Sequence, residues 1–81
     1  MDQNTIESLK PFEKVLHTAY HLGYANIILT DFQKIVEIYF KAPVKDLIKE
    51  HKIPASTLSC GRCRLNMLKS IAKDYFGNIK N

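Results

Sequence analysis

The chain has 81 residues, of which 12 are lysine or arginine and 8 are acidic, for a net charge of +4. This length leaves room for one small core that buries roughly 60–65% of the unfolded chain's surface. A composition of 46% hydrophobic and 25% charged residues is that of a globular domain and excludes a disordered tether. No apolar run approaches the ~20 residues of a membrane span. The opening Met-Asp-Gln-Asn also lacks the layout of a signal peptide, so the expectation is a cytoplasmic protein with reduced thiols. Three glycines and three prolines supply few hairpin turns, which argues against an all-β fold. The short length argues against a dedicated enzyme.

Residues 1–4 are polar and expected to fray, as are 78–81. Helical patterning starts near Thr5, a candidate N-cap before Ile6 and Leu9. Pro11 falls where it kinks a helix or opens a new one. Phe12, Val15, Leu16, Ala19 and Tyr20 then keep the spacing of one buried face up to Gly23, a natural stop. Residues 24–29 are an apolar connection too short to classify by period, either a buried linker or a lone strand segment, with the linker favoured. Thr30 and Gln33 have capping-box spacing, with Asp31 placed to favour the positive helix start. The predicted helix 31–41 buries Phe32, Ile35, Val36, Tyr39 and Phe40. Pro43 ends it and opens a third helix over about 43–51, which buries Val44, Leu47, Ile48 and His51. The last helix starts either near Ala55, after Pro54, or near Cys60 with Ser59 as cap, and ends near Phe76 with Gly77 as its stop. Its apolar arc is Leu58, Leu65, Leu68, Ile71, Ala72 and Tyr75. The predicted architecture is all-α, a single domain of four to five helices with no internal repeat.

Segment 44–58 carries the most information about function. A short amphipathic helix is followed by a tight break, the isolated apolar residue Ile53, and a small-polar cluster able to open a second helix. Leu47, Ile48, Ile53 and Leu58 are placed to pin two short helices at a steep angle. The run Ile-Pro-Ala-Ser-Thr-Leu at 53–58 resembles the turn and early recognition helix of the helix-turn-helix DNA-binding family, including transposase, resolvase and terminase small-subunit types. The resemblance is local, covering about residues 44–63. It implies a helix-turn-helix-like C-terminal unit that enters a major groove, in a small accessory or regulatory protein of phage or mobile-element type. The chain departs from the pattern at three places. Lys52 stands where glycine is usual in the turn, His51 where an aliphatic is usual, and Gly61 where a branched apolar residue is usual. On this reading Ala55, Ser56, Thr57 and Ser59 face the nucleic acid. Ala55, Ser56, Ser59 and Cys60 bring no Arg, Asn or Gln to the base edges, so binding is expected to run through phosphates. The alternative for 44–58 is an ordinary helix–loop–helix corner.

Arg62, Asn66, Lys69 and Lys73 recur at i, i+4, i+7, i+11 and form one stripe on the last helix. A row of cations matches phosphates beside a groove. It also matches the solvated face of any amphipathic helix. Joined to a helix-turn-helix, the stripe continues Ala55 and Ser59 and favours duplex DNA as partner, with homodimerisation open.

Cys60 and Cys63 form a Cys-x-x-Cys motif. The local Cys-Gly-x-Cys form resembles thioredoxin, but no strand pattern precedes it, which excludes that fold. A zinc site needs four ligands, and His17 and His21 at i, i+4 could join the two cysteines. The histidines fall on the polar side of their helix, whereas Cys60 falls on the apolar arc of its own and Cys63 at its edge. The expectation is two small, mostly buried thiols without metal or other cofactor. No Ser-His-Asp order, Gly-rich phosphate loop or metalloprotease motif occurs, so no catalytic residue is assigned. Asp46 and Glu50 read as solvated helix surface. Phe32, Tyr39, Phe40, Tyr20, Tyr24, Tyr75 and Phe76 are numerous for so small a core. Any that are exposed mark a protein-partner surface, which is the rival reading: a helical adaptor, inhibitor or virion component.

Overall fold

The computed structural model describes residues 1–79, and among these there is helix and no strand. The N-terminal arm is a bent helical run. It comprises α1 (Gln3–Leu9), a 3₁₀ turn at Lys10–Phe12, α2 (Glu13–His17) and a π-helical turn at Thr18–Leu22. Then come α3 (Leu29–Phe40), α4 (Val44–Lys49), a 3₁₀ turn at Ala55–Leu58 and the long α5 (Gly61–Ile79). The arm, α3, α4 and α5 are thus four helical units. The radius of gyration is 11.9 Å, against about 12 Å expected for a compact chain of this length. No helix is long and apolar enough to cross a membrane.

The arm starts earlier than its pattern suggests. Asp2, not Thr5, is the cap: its Oδ1 accepts from the Thr5 backbone N–H at 2.8 Å. Its second oxygen pairs with Lys41, and the Met1 amino group reaches Asn78 Oδ1 at 3.4 Å. These bonds tie down residues that polarity alone marks as frayed. Residues 78 and 79 are likewise helical, and the frayed end expected at 80–81 lies outside the described residues. Pro11 sits in the first turn of the 3₁₀ segment, where its missing N–H costs nothing. At the far end of the arm the Thr18 hydroxyl donates back to the Lys14 carbonyl at 2.9 Å, and the following turn is π-helical. Tyr20, predicted on the buried face, is 42% exposed, while Leu16 and Ala19 are in the core. Gly23, at φ 77°, ends the arm in the left-handed region.

α3 begins at Leu29 with Ile28 as its cap residue, so Thr30 and Gln33 lie inside the helix and form no capping box. α3 ends at Lys41, and α4 ends at His51, both with φ 60°. At His51 the backbone N–H bonds to the Ile48 carbonyl at 3.1 Å, and the Lys52 N–H bonds to the Leu47 carbonyl at 2.8 Å. These two bonds are a Schellman ending, so His51 occupies the position that usually takes glycine and is exposed, not buried. The start of α4 is satisfied from α3: Glu37 Oε2 accepts from the Val44 N–H at 2.8 Å.

The core joins Ile6, Leu9, Leu16 and Ala19 of the arm to Phe32, Ile35 and Val36 of α3. Val44 and Leu47 of α4, then Ile53, then Leu68, Ile71, Ala72 and Tyr75 of α5 complete it. Tyr39, Phe40, Ile48, Leu58 and Leu65, predicted as core, are partly buried and pack against its edge. α5 is the hub, packing on the π turn, α2, α1 and the 55–58 turn, while α1 packs on α3 and α3 on α4. Gly77 does not stop α5. The helix continues to Ile79, with the Asn78 amide donating back to the Asp74 carbonyl at 2.7 Å.

Candidate functional site

α5 begins at Gly61, so the second of the two predicted starts is the nearer one, with a different cap. The Ser59 hydroxyl turns back to the Ser56 carbonyl at 3.3 Å. Cys60 Sγ instead accepts from the Cys63 backbone N–H at 3.2 Å, and the Cys60 carbonyl accepts from the Arg64 N–H at 3.0 Å. A thiol therefore does the work of a capping hydroxyl. Ala55–Leu58 is a separate 3₁₀ turn, fixed to α5 by Arg64, whose Nη1 donates to the Leu58 carbonyl at 2.7 Å.

This corner sorts the predicted site residues into three groups. Arg62, Asn66, Lys69 and Lys73 are all exposed on one side of α5. Among the described residues none of the three cations is in an ion pair. α5 carries four cations against the single acid Asp74, and that carboxylate is engaged by the Tyr39 hydroxyl at 2.8 Å and by Asn78 at 2.9 Å. The stripe therefore carries a net positive charge with its cations out of ion pairs, over about 16 Å at the helical rise. Ala55, Ser56 and Ser59 are exposed but stand before the helix, not on it. Thr57 is 1% exposed and belongs to the interior, which removes it from the predicted nucleic-acid face. Thr57 lies two residues from both Ala55 and Ser59, on the side of the turn that faces the core.

The metal alternative fails on placement. His17 and His21 are exposed and pack their rings 4.5 Å apart beside Phe76. Sixteen residues of α5 separate Phe76 from Cys60, about 24 Å. Among the described residues no three His, Cys, Asp or Glu side chains converge on one point. Cys60 and Cys63 are free thiols and half-buried, more open than their predicted place in the core. The neighbouring Cys63 thiol, with help from backbone N–H groups and the Arg64 charge, holds Cys60 below the ordinary thiol value. Cys63 is pushed up, first by Cys60 and then by burial.

A second surface lies at the other end of α5. Tyr20 stacks on Phe76 with ring centres 6.0 Å apart. With His21, Lys73 and Ile79 they border an open groove of about 570 Å³. Leu22, Tyr24, Ile28 and Leu29 are also exposed. The period of the arm places Tyr20 inside and the linker reading of 24–29 buries that segment, whereas Tyr20, Tyr24, Ile28 and Leu29 are all exposed. No protein-family model matches the chain, and neither does a curated protein or a solved structure.

Proposed function

We propose that this chain is a small, non-enzymatic nucleic-acid-binding protein that holds duplex DNA through phosphates along α5, in an accessory or regulatory role. The observation that carries the reading is the row of Arg62, Asn66, Lys69 and Lys73, exposed on one side of the helix with its cations unpaired among the described residues. Cations held on a rigid helix displace counterions without ordering a loop. The helix-turn-helix-like part of the reading is supported by the tight turn at His51 and by Ile53, buried between α4 and the 55–58 turn. Against a full recognition helix stands the interruption at 59–60, so Ala55, Ser56 and Ser59 act as flanking polar groups. With Asn66 the one amide in the stripe, the expected mode is weakly specific.

The test is binding of the full chain to two unrelated labelled duplexes at low salt. Similar affinities for both, weakening steeply as salt rises, support the reading. Absence of binding at low salt overturns it. A second reading, a protein-interaction module, is favoured by one observation: the exposed aromatic and aliphatic groups around Tyr20, Leu22, Tyr24 and Ile28. Self- or hetero-association insensitive to salt, without DNA binding, would bring it to the front.

A further inference from the structure

We propose that Cys60 and Cys63 form a thiol–disulfide exchange site, in which Cys60 attacks a small anionic disulfide and Cys63 closes the product into an intrachain disulfide. The corner holds what this chemistry requires. Cys60 is at the cap of a 19-residue helix and Cys63 is its third residue, with Cys60 Sγ already turned toward the Cys63 N–H at 3.2 Å. Helix geometry sets their Cα atoms about 5 Å apart, within the roughly 4.4–6.8 Å that a disulfide spans. Closure therefore needs side-chain rotation and no backbone movement.

Access is open on both sides. Cys60 is half-exposed, and the space beside it at Gly61 is open: a Cβ there would meet nothing nearer than Arg64 Nη2 at 4.0 Å. Cys63 borders a groove of about 300 Å³ with Pro54, Thr57, Asn66, Met67 and Ser70, room for part of a small molecule. The helix start, the exposed Arg62 and the nearby Arg64 make the surroundings positive, which draws an anionic disulfide and favours thiolate at Cys60. The geometry divides the roles: Cys60, at the helix cap with its sulfur accepting the Cys63 N–H, attacks, and Cys63 waits as the resolving thiol, in line with the directions in which the two are shifted.

The step balances. The Cys60 thiolate bonds to one sulfur of the disulfide, whose S–S bond breaks, and the first thiolate leaves to take a proton from water. Cys63 then loses its proton, and its sulfur bonds to the Cys60 sulfur and expels the second thiolate. The two protein thiols are oxidised by two electrons and the small disulfide is reduced to two thiols. A dithiol reverses it.

The experiment exposes the full chain to oxidised glutathione, quenches with acid and reads intact mass. Wild type is expected to close to the intrachain disulfide without accumulating adduct. Cys63→Ser is expected to trap one glutathione, and Cys60→Ser to acquire it at least about tenfold more slowly. Equal rates in the two variants, or wild type stalling as the mixed disulfide, overturn the proposal. Independently of any variant's folding, limited iodoacetamide labelling of native wild type should mark Cys60 first, and equal or Cys63-first labelling contradicts the assigned roles. Cystamine, a cationic disulfide, should react more slowly than oxidised glutathione, and the reverse order would overturn the anionic preference.

Discussion

The two ends of α5 are built from different chemistry. Its first turn is held by polar bonds local in the chain, the Cys60 thiol on the Cys63 N–H and the Arg64 guanidinium on the Leu58 carbonyl. Its last turns are held by distant partners: the Tyr75 hydroxyl donates to Glu13 at 2.6 Å, and Phe76 lies among His17, Tyr20 and His21. Between them one apolar stripe, Leu68, Ile71 and Ala72, is buried in the common core. Arg62 and Phe76 are fourteen residues apart, about 21 Å along the helix. The cationic stripe and the apolar groove are thus distinct surfaces that meet at Lys73. A substitution at Arg62 is expected to leave the groove intact, whereas substitutions in the core are expected to damage both.

The largest effect is therefore expected from the core. Ile35, fully buried on α3, should cost about 2–5 kcal/mol as Ile35→Ala, from lost transfer energy plus the cavity left behind. Urea unfolding reads this directly, and an unchanged midpoint would contradict the packing of α3.

The distal end can be probed by pH. Burial and the Glu13 carboxylate push the Tyr75 hydroxyl up to about 12, above the ordinary value near 10 of an unfolded tyrosine. Because the folded value is raised, the stabilisation is complete below about pH 10 and is lost as pH climbs toward 12. Tyr39 shifts in the same direction, by burial and Asp74, so the comparison of wild type with Tyr75→Phe isolates one group. The variant should show a shallower alkaline decline in stability. Superimposable alkaline limbs would mean that the Tyr75–Glu13 bond does not hold this end.

The proximal end should respond more weakly. Cys60→Ala removes the cap and is expected to lower stability by about 1 kcal/mol, whereas Cys60→Ser keeps an acceptor and most of the stability. Chemical denaturation of both variants checks this, and equal losses would show that the thiol does not cap α5.

Much of this architecture was legible in the residues. Phe32, Ile35 and Val36, and Leu68, Ile71, Ala72 and Tyr75, repeat at helical spacing over segments long enough for period to decide facing. The stripe from Arg62 to Lys73 was legible for the same reason. Period fails where contacts between elements decide exposure: Tyr20, at the edge of the arm's apolar face, stays 42% exposed against Phe76, and Thr57 is buried. The left-handed turn fell on His51, a residue whose type gives little sign of it. The cap of α5 fell on a cysteine beside an available serine, and Asp2 was read as a frayed end because its partner, Lys41, is distant in the chain.

The cationic stripe makes its sharpest claim about salt. Binding of wild type and of the triple variant Arg62→Ala, Lys69→Ala, Lys73→Ala to one labelled duplex, titrated at several salt concentrations, gives two slopes of log affinity against log salt. If these cations meet phosphates, the triple variant's slope should be shallower by about three units, with affinity falling similarly on unrelated sequences. Equal slopes for the two proteins would show that α5 does not carry the binding and would contradict the account.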